Sequence, residues 1–155
     1  MIQRIQSVWL LLAVITLIFL FFLPLATTNA GSTEYSVYTS GNRQEIKSGT
    51  GTGYVADIEI APLALNGIAA LLCFAAIFSF RNRNIQKNII IAGMLSIVVL
   101  IVLCALNGQQ LPGGLKGRVL TAGTFLPLFT LVFCVLAIRG IRKDEQLLRS
   151  ADRLR

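Results

Sequence analysis

VWLLLAVITLIFLFFLPL, Val8 to Leu25, is 18 residues without a charge and with Thr16 as its single polar side chain. A run of that length and purity matches the roughly 20 residues that a helix needs to cross a hydrocarbon core. The rival reading is a secretory leader, with Arg4 as its basic start and Thr28 to Ala30 as a small-residue cleavage site. Its apolar stretch exceeds the roughly 7 to 15 residues of such leaders, so an uncleaved spanning helix is the better fit.

Three further apolar runs follow, at 60–80, 89–106 and 119–138. The whole chain of 155 residues is 55% hydrophobic and 14% charged, a balance that no soluble core accommodates. The expected architecture is thus an all-α integral membrane protein: one four-transmembrane-helix bundle over 1–155, with helices at about 8–25, 60–80, 89–106 and 119–138. Pro62 suits the first turn of the second helix, and Pro127 is expected to kink the fourth, with Thr124 or a neighbouring helix pairing the freed carbonyl. Small residues, Ala69, Ala70, Ala75, Ala76, Ala92, Gly93 and Ser96, supply close-packing faces.

Between the first two runs, residues 26–59 turn polar and Gly-rich, and they read as an outer loop. In it, Tyr35 to Thr39 and Gln44 to Lys47 are placed to pair as a small β-hairpin around Ser40-Gly41-Asn42. The GTGTG at 49–53 has neither the strand-to-helix context nor the lysine of a phosphate loop, and reads as a connector. RNRNIQKN at 81–88 and NGQQLPGGLKGR at 107–118 read as the other two links. After Arg139 the chain becomes RGIRKDEQLLRSADRLR, a cytoplasmic tail read as a short amphipathic helix on the membrane surface.

Charge orients the bundle. Placing both termini and the 81–88 link on one side gathers ten of the fourteen basic residues there: Arg4, Arg81, Arg83, Lys87, Arg139, Arg142, Lys143, Arg149, Arg153 and Arg155. The opposite side keeps Arg43, Lys47, Lys116 and Arg118 with four of the seven acids, Glu34, Glu45, Asp57 and Glu59. The positive-inside rule then makes both termini cytoplasmic, with residues 26–59 outside. A net charge of +7 dispersed along helix ends is no nucleic-acid face.

The catalytic inventory is thin. The chain has no His, and its three cysteines, Cys73, Cys104 and Cys134, lie scattered in apolar runs, where packing is their expected role. No ionisable residue falls within the four runs, which argues against an ion-coupled transporter. No catalytic, metal or cofactor residue is expected, and the reading is a non-enzyme. The candidate polar contacts of the bundle are Asn66, Thr121, Thr124 and Thr130. The candidate cytoplasmic interaction face is Arg142, Lys143, Asp144, Glu145, Arg149 and Arg153.

The opening MIQRIQSVWLLLA and the closing RKDE and RSADRLR segments resemble a family of four-helix membrane proteins from Bacteroidota, domain of unknown function 4293. The resemblance implies a bacterial inner membrane and one membrane domain, and it implies no activity. The expected function is an accessory or scaffold subunit in the lipid bilayer, held to a membrane-protein partner or to a second copy. Two alternatives are a small channel or carrier for an uncharged or lipid-like solute, lined by the four polar contacts, and peptide or sugar binding by Tyr35, Tyr38 and Tyr54 of the outer loop.

Overall fold

A computed structural model describes residues 3–30, 33–48, 51–79, 82–109 and 118–152. Four helices run antiparallel: α1 (Gln3–Leu20), α2 (Ile60–Phe78), α3 (Arg83–Gln109) and α4 (Ala122–Asp152). Five strands lie at the end where α1 stops and α2 begins: β1 (Ala26–Ala30), β2 (Thr33–Tyr38), β3 (Gly41–Ser48), β4 (Gly51–Ile58) and β5 (Arg118–Leu120). They form one antiparallel sheet in the order β4-β3-β2-β1-β5.

The sheet corrects the expected fold. The chain is not all-α, and the outer loop is not a small hairpin. The pairing between β2 and β3 is present, Tyr38 opposite Gly41, with Thr39 and Ser40 as its turn. Gly41 sits at φ 124°, where a Cβ would fall 1.9 Å from the Asp57 carbonyl oxygen, so the turn demands glycine. Around that hairpin, ATTNA at 26–30 and the supposed connector from Gly51 both become strands. Marginal on its own, the hairpin gains stability here from three more strands and from a buried face. Ala26 and Val37, neighbours in register, turn that face onto Leu20, Leu25 and Leu100 of a second core cluster, with Leu65, Cys104 and Leu126 packed beside it.

The helices also shift from their expected bounds. Three are long and apolar enough to cross a membrane: Ile60–Phe78, Arg83–Asn107 and Ala122–Leu147. The first apolar run supplies a shorter helix, because the chain turns at Phe21 and Phe22 and enters β1 after Leu25. At 1.5 Å per residue, the 18 residues of α1 are about 27 Å long. The expected link at 81–88 is mostly the first turn of α3, which starts at Arg83. Nor does the tail form a separate surface helix, since α4 runs on without a break through Pro127 and Arg139 to Asp152.

The main core lies between the helices: Leu10, Ala13 and Leu17 of α1, Ala69, Cys73 and Ala76 of α2, Ile90 and Ile97 of α3, and Cys134, Ala137 and Ile141 of α4. Ala69, Ala76 and Gly93 thus act within the chain, whereas Ala75 and Ala92 face outward. Trp9 stacks on Phe133 with centroids 5.9 Å apart and so serves the α1–α4 contact. Large apolar side chains such as Leu71, Phe74, Leu95, Val98, Phe125, Phe129 and Val132 point outward, the arrangement of a bundle whose solvent is hydrocarbon.

Close approach makes α4 dependent on Gly123, where a Cβ would stand 2.2 Å from the Pro24 carbonyl oxygen, while a Cβ at Gly67 meets nothing within 4 Å. Gly123→Ala is therefore expected to lower stability by about 1–3 kcal/mol, and Gly67→Ala to leave it unchanged or raise it. Thermal unfolding in detergent, followed by helical circular dichroism, reads both.

Candidate functional site

Polar residues gather at the two ends of the bundle. At the end away from the sheet, Gln6 of α1 donates its Nε2 hydrogen to Asp144 Oδ2 of α4, and both side chains are buried. On the same end Gln86 of α3 donates to the Ala76 carbonyl at 3.0 Å, and Lys87 pairs with Glu145 at 2.8 Å. Helical spacing produces this division of α4: adjacent residues stand 100° apart, so Asp144 turns to α1 while Glu145 turns to α3.

The expected interaction face therefore splits. Arg142 and Lys143 are exposed, Glu145 is partly buried in its ion pair, and Asp144 is enclosed. The Arg149 side chain and all of Arg153 lie outside the described residues. Asp144 Oδ1 and one Arg83 guanidinium nitrogen are buried without a hydrogen-bond partner among the described residues. Gln6, Gln86 and Lys87 were absent from the sequence-based candidates. Their signal was available in the amide-rich MIQRIQ and RNRNIQKN, but an amide beside a charge at a helix end reads equally as solvated surface.

At the sheet end, the threonines of α4 meet the chain leaving α1. Thr121 donates its hydroxyl to the Pro24 carbonyl and its backbone N–H to that of Leu25, at 3.3 Å for the latter. Thr124 donates its hydroxyl to the Leu25 carbonyl, and so does not serve the carbonyl freed by Pro127. Leu25 N–H in turn donates to Val37 at 2.7 Å, and Thr39 donates to the Leu20 carbonyl at 3.0 Å. Sheet, α1 and α4 are thereby joined through the Leu20 oxygen that α1 leaves open on ending and through the backbone of the Pro24–Leu25 link.

The remaining polar candidates lie deeper. Asn66 is fully buried and donates to the Leu17 carbonyl at 3.3 Å, linking α2 to α1, while its Oδ1 has no partner among the described residues. Thr130 shares a 2.8 Å hydrogen bond with Thr16, linking α4 to α1. Thr121 and Thr124 thus share the joint at Pro24 and Leu25, Asn66 and Thr130 hold α1 from α2 and α4, and of the four only Thr124 reaches the cavity described next.

That cavity, of about 170 Å³, lies where α1, α3, α4 and the sheet converge, lined by Leu20, Leu25, Val37, Leu100, Cys104 and Pro127 among others. In the main core Cys73 and Cys134 approach to 4.0 Å between sulfurs, a meeting of α2 and α4 that their separation in sequence concealed. Arg43 covers the Tyr38 ring at 4.4 Å on the outward sheet face, whereas Tyr35 packs on the second core cluster from the inward face, and the Tyr54 side chain lies outside the described residues. Among the described residues, no three Cys, Asp or Glu side chains come together as a metal site.

A family model described as Domain of unknown function (DUF4293) matches residues 2–154, and the chain belongs to that family. No curated protein matches it. The membership takes in both the segment carrying Gln6 and the segment carrying Asp144, the pair that the fold brings into contact.

Removing one partner of that enclosed pair strands the other. Asp144→Ala is expected to cost about 1–3 kcal/mol, and the double variant Gln6→Leu with Asp144→Leu less than the sum of its single changes. Lys87→Ala, which breaks a pair still in reach of solvent, should cost about 0–1 kcal/mol. Unfolding midpoints of Asp144→Ala, Lys87→Ala, the double variant and its two single changes in one detergent give the comparison.

Proposed function

We propose, starting from membership in this family, that the chain is a non-catalytic accessory subunit of a membrane complex. It holds a folded sheet on one side of a bacterial inner membrane and a stiff, basic helical extension on the other. All four helices cross in this reading, α1 included, since a helix of about 27 Å nearly matches a hydrocarbon core of about 30 Å and lies against α4 along its length. Both termini are cytoplasmic and the sheet is periplasmic, as the gathering of basic residues at the Gln6–Asp144 end favours.

The observation that carries the reading is the use to which the bundle puts its polar groups. Asn66, Thr16, Thr130, Thr121 and Thr124 each bond one element to another, so the described interior offers hydrogen bonds that fix helices in place. A channel lining needs such groups free along one open path, whereas here their donors are taken up by neighbouring elements. What the far end presents outward is one side of the continuation of α4, residues 140–152 and about 20 Å long, held to α1 and α3 through Asp144 and Glu145 and with Arg142 and Lys143 exposed. A cationic pair on a rigid helix at the membrane surface suits an acidic face of a partner subunit.

Mild extraction from native membranes, followed by mass measurement, tests the proposal. The chain of 16.9 kDa is expected within a larger particle that contains a second polypeptide species. Arg142→Glu with Lys143→Glu should shed that species while leaving the unfolding midpoint of the chain in place. Migration as one chain plus detergent would defeat the accessory role.

A further inference from the structure

The cavity between α3, α4 and the sheet is lined by twelve residues, of which ten are apolar: Leu20, Leu25, Ala26, Val37, Leu100, Ile101, Cys104, Ala105, Leu120 and Pro127. The other two are Thr39 and Thr124, and each has already donated its hydroxyl hydrogen to a backbone carbonyl, of Leu20 and Leu25 respectively. Each spent hydroxyl keeps only its acceptor lone pairs, so a water here would meet at most two side-chain acceptors and no free side-chain donor, the least that a buried water requires. An empty space, on the other hand, leaves the lining atoms without contacts on one side and forfeits their dispersion attraction. The wall therefore selects an apolar occupant.

Its size and place say which. A cavity of about 170 Å³ is close to the roughly 150 Å³ apolar cavity that accepts benzene, which is room for a chain segment of about six carbons. Ala105 and Leu120 on its lining are exposed, so the space communicates with the outside of the bundle beside them. The surface around that mouth continues in outward-facing Val102, Leu106, Phe125 and Leu128. In the bilayer reading of the preceding section, on which this inference rests, the matter in contact with such a surface is lipid hydrocarbon.

We infer that the cavity is a binding site for the alkyl chain of a membrane lipid, which enters beside Ala105 and Leu120 and packs between the helices and the underside of the sheet. The chain fills the space between α3, α4 and the sheet and supports Ala26 and Val37 from beneath. Binding here follows fit, because lipid tails surround the protein already and only closer packing distinguishes the cavity from the bilayer.

The full chain in nanodiscs of phosphatidylethanolamine, with a photo-reactive diazirine in one acyl chain, provides the test. After illumination and peptide mapping, adducts on Leu100, Cys104 and Pro127 are expected at about three to ten times the level on lipid-facing Leu95 and Phe129. Cys104→Phe, or Ala26→Leu from the opposite wall, should fill the space, abolish that excess and leave labelling of Leu95 and Phe129 unchanged. One folded variant of the two is sufficient. Even labelling of all five positions, or an excess that survives filling, would overturn the lipid site. Crosslinks joining two copies at the mouth, or protection of the cavity by residues 110–117, would overturn it in favour of those occupants. Absence of adducts everywhere would instead remove the membrane reading itself.

Discussion

A helix that ends within or beside hydrocarbon leaves its last carbonyls without partners, and water is not at hand to satisfy them. In this chain Asn66, Thr39 and the turn at 21–23 take the carbonyls of the last turn of α1, and the same want of partners passes to the oxygens of Pro24 and Leu25 in the link to β1. Two hydroxyls and an N–H from the start of α4 close on those oxygens, and Leu25 N–H reaches across to Val37. Gly123 permits the approach, since any side chain there would occupy the place of the Pro24 oxygen. The position of the sheet, the entry of α4 and the cavity beneath β1 all follow from that joint.

The opposite end is fixed by different chemistry. Gln6 and Asp144 are enclosed between α1 and α4, and the Lys87–Glu145 pair lies between α3 and α4. A neutral amide donor against a carboxylate avoids bringing two full charges out of water together, and it still answers the desolvated oxygen. Polar joints thus hold α4 at both its ends and, through Thr130 and Thr16, in the middle. In a solvent of lipid tails, where apolar burial drives little, such bonds and close packing decide which helices are neighbours.

The sheet gives the protein a second kind of surface. Its bundle-facing side is buried through Ala26, Thr28 and Val37, and its outward side carries Arg43 over Tyr38. The Pro24–Leu25 joint fixes it to the helices.

The sequence by itself determined the helices, because apolar runs of fixed length have few alternatives in water or lipid, and their number, order and direction were legible. It also disclosed the hairpin at Gly41, whose turn chemistry is local, and the family, through MIQRIQ and the closing RKDE segment. It did not disclose β1, β4 and β5. ATTNA and RVL are too short to signal a strand alone, and Gly51, Thr52 and Gly53 have the composition of a linker. These segments become strands because neighbours as near as three positions, as in Ala30 with Thr33, or as far as ninety, as in Thr28 with Arg118, supply their hydrogen bonds. The same holds for the sites: Asp144 reads as one more charge in a basic tail until α1 covers it, and the thiols of Cys73 and Cys134 meet only when α2 and α4 pack. Composition fixes which solvent a segment prefers, but the partner that satisfies each buried polar group is chosen only by the tertiary fold.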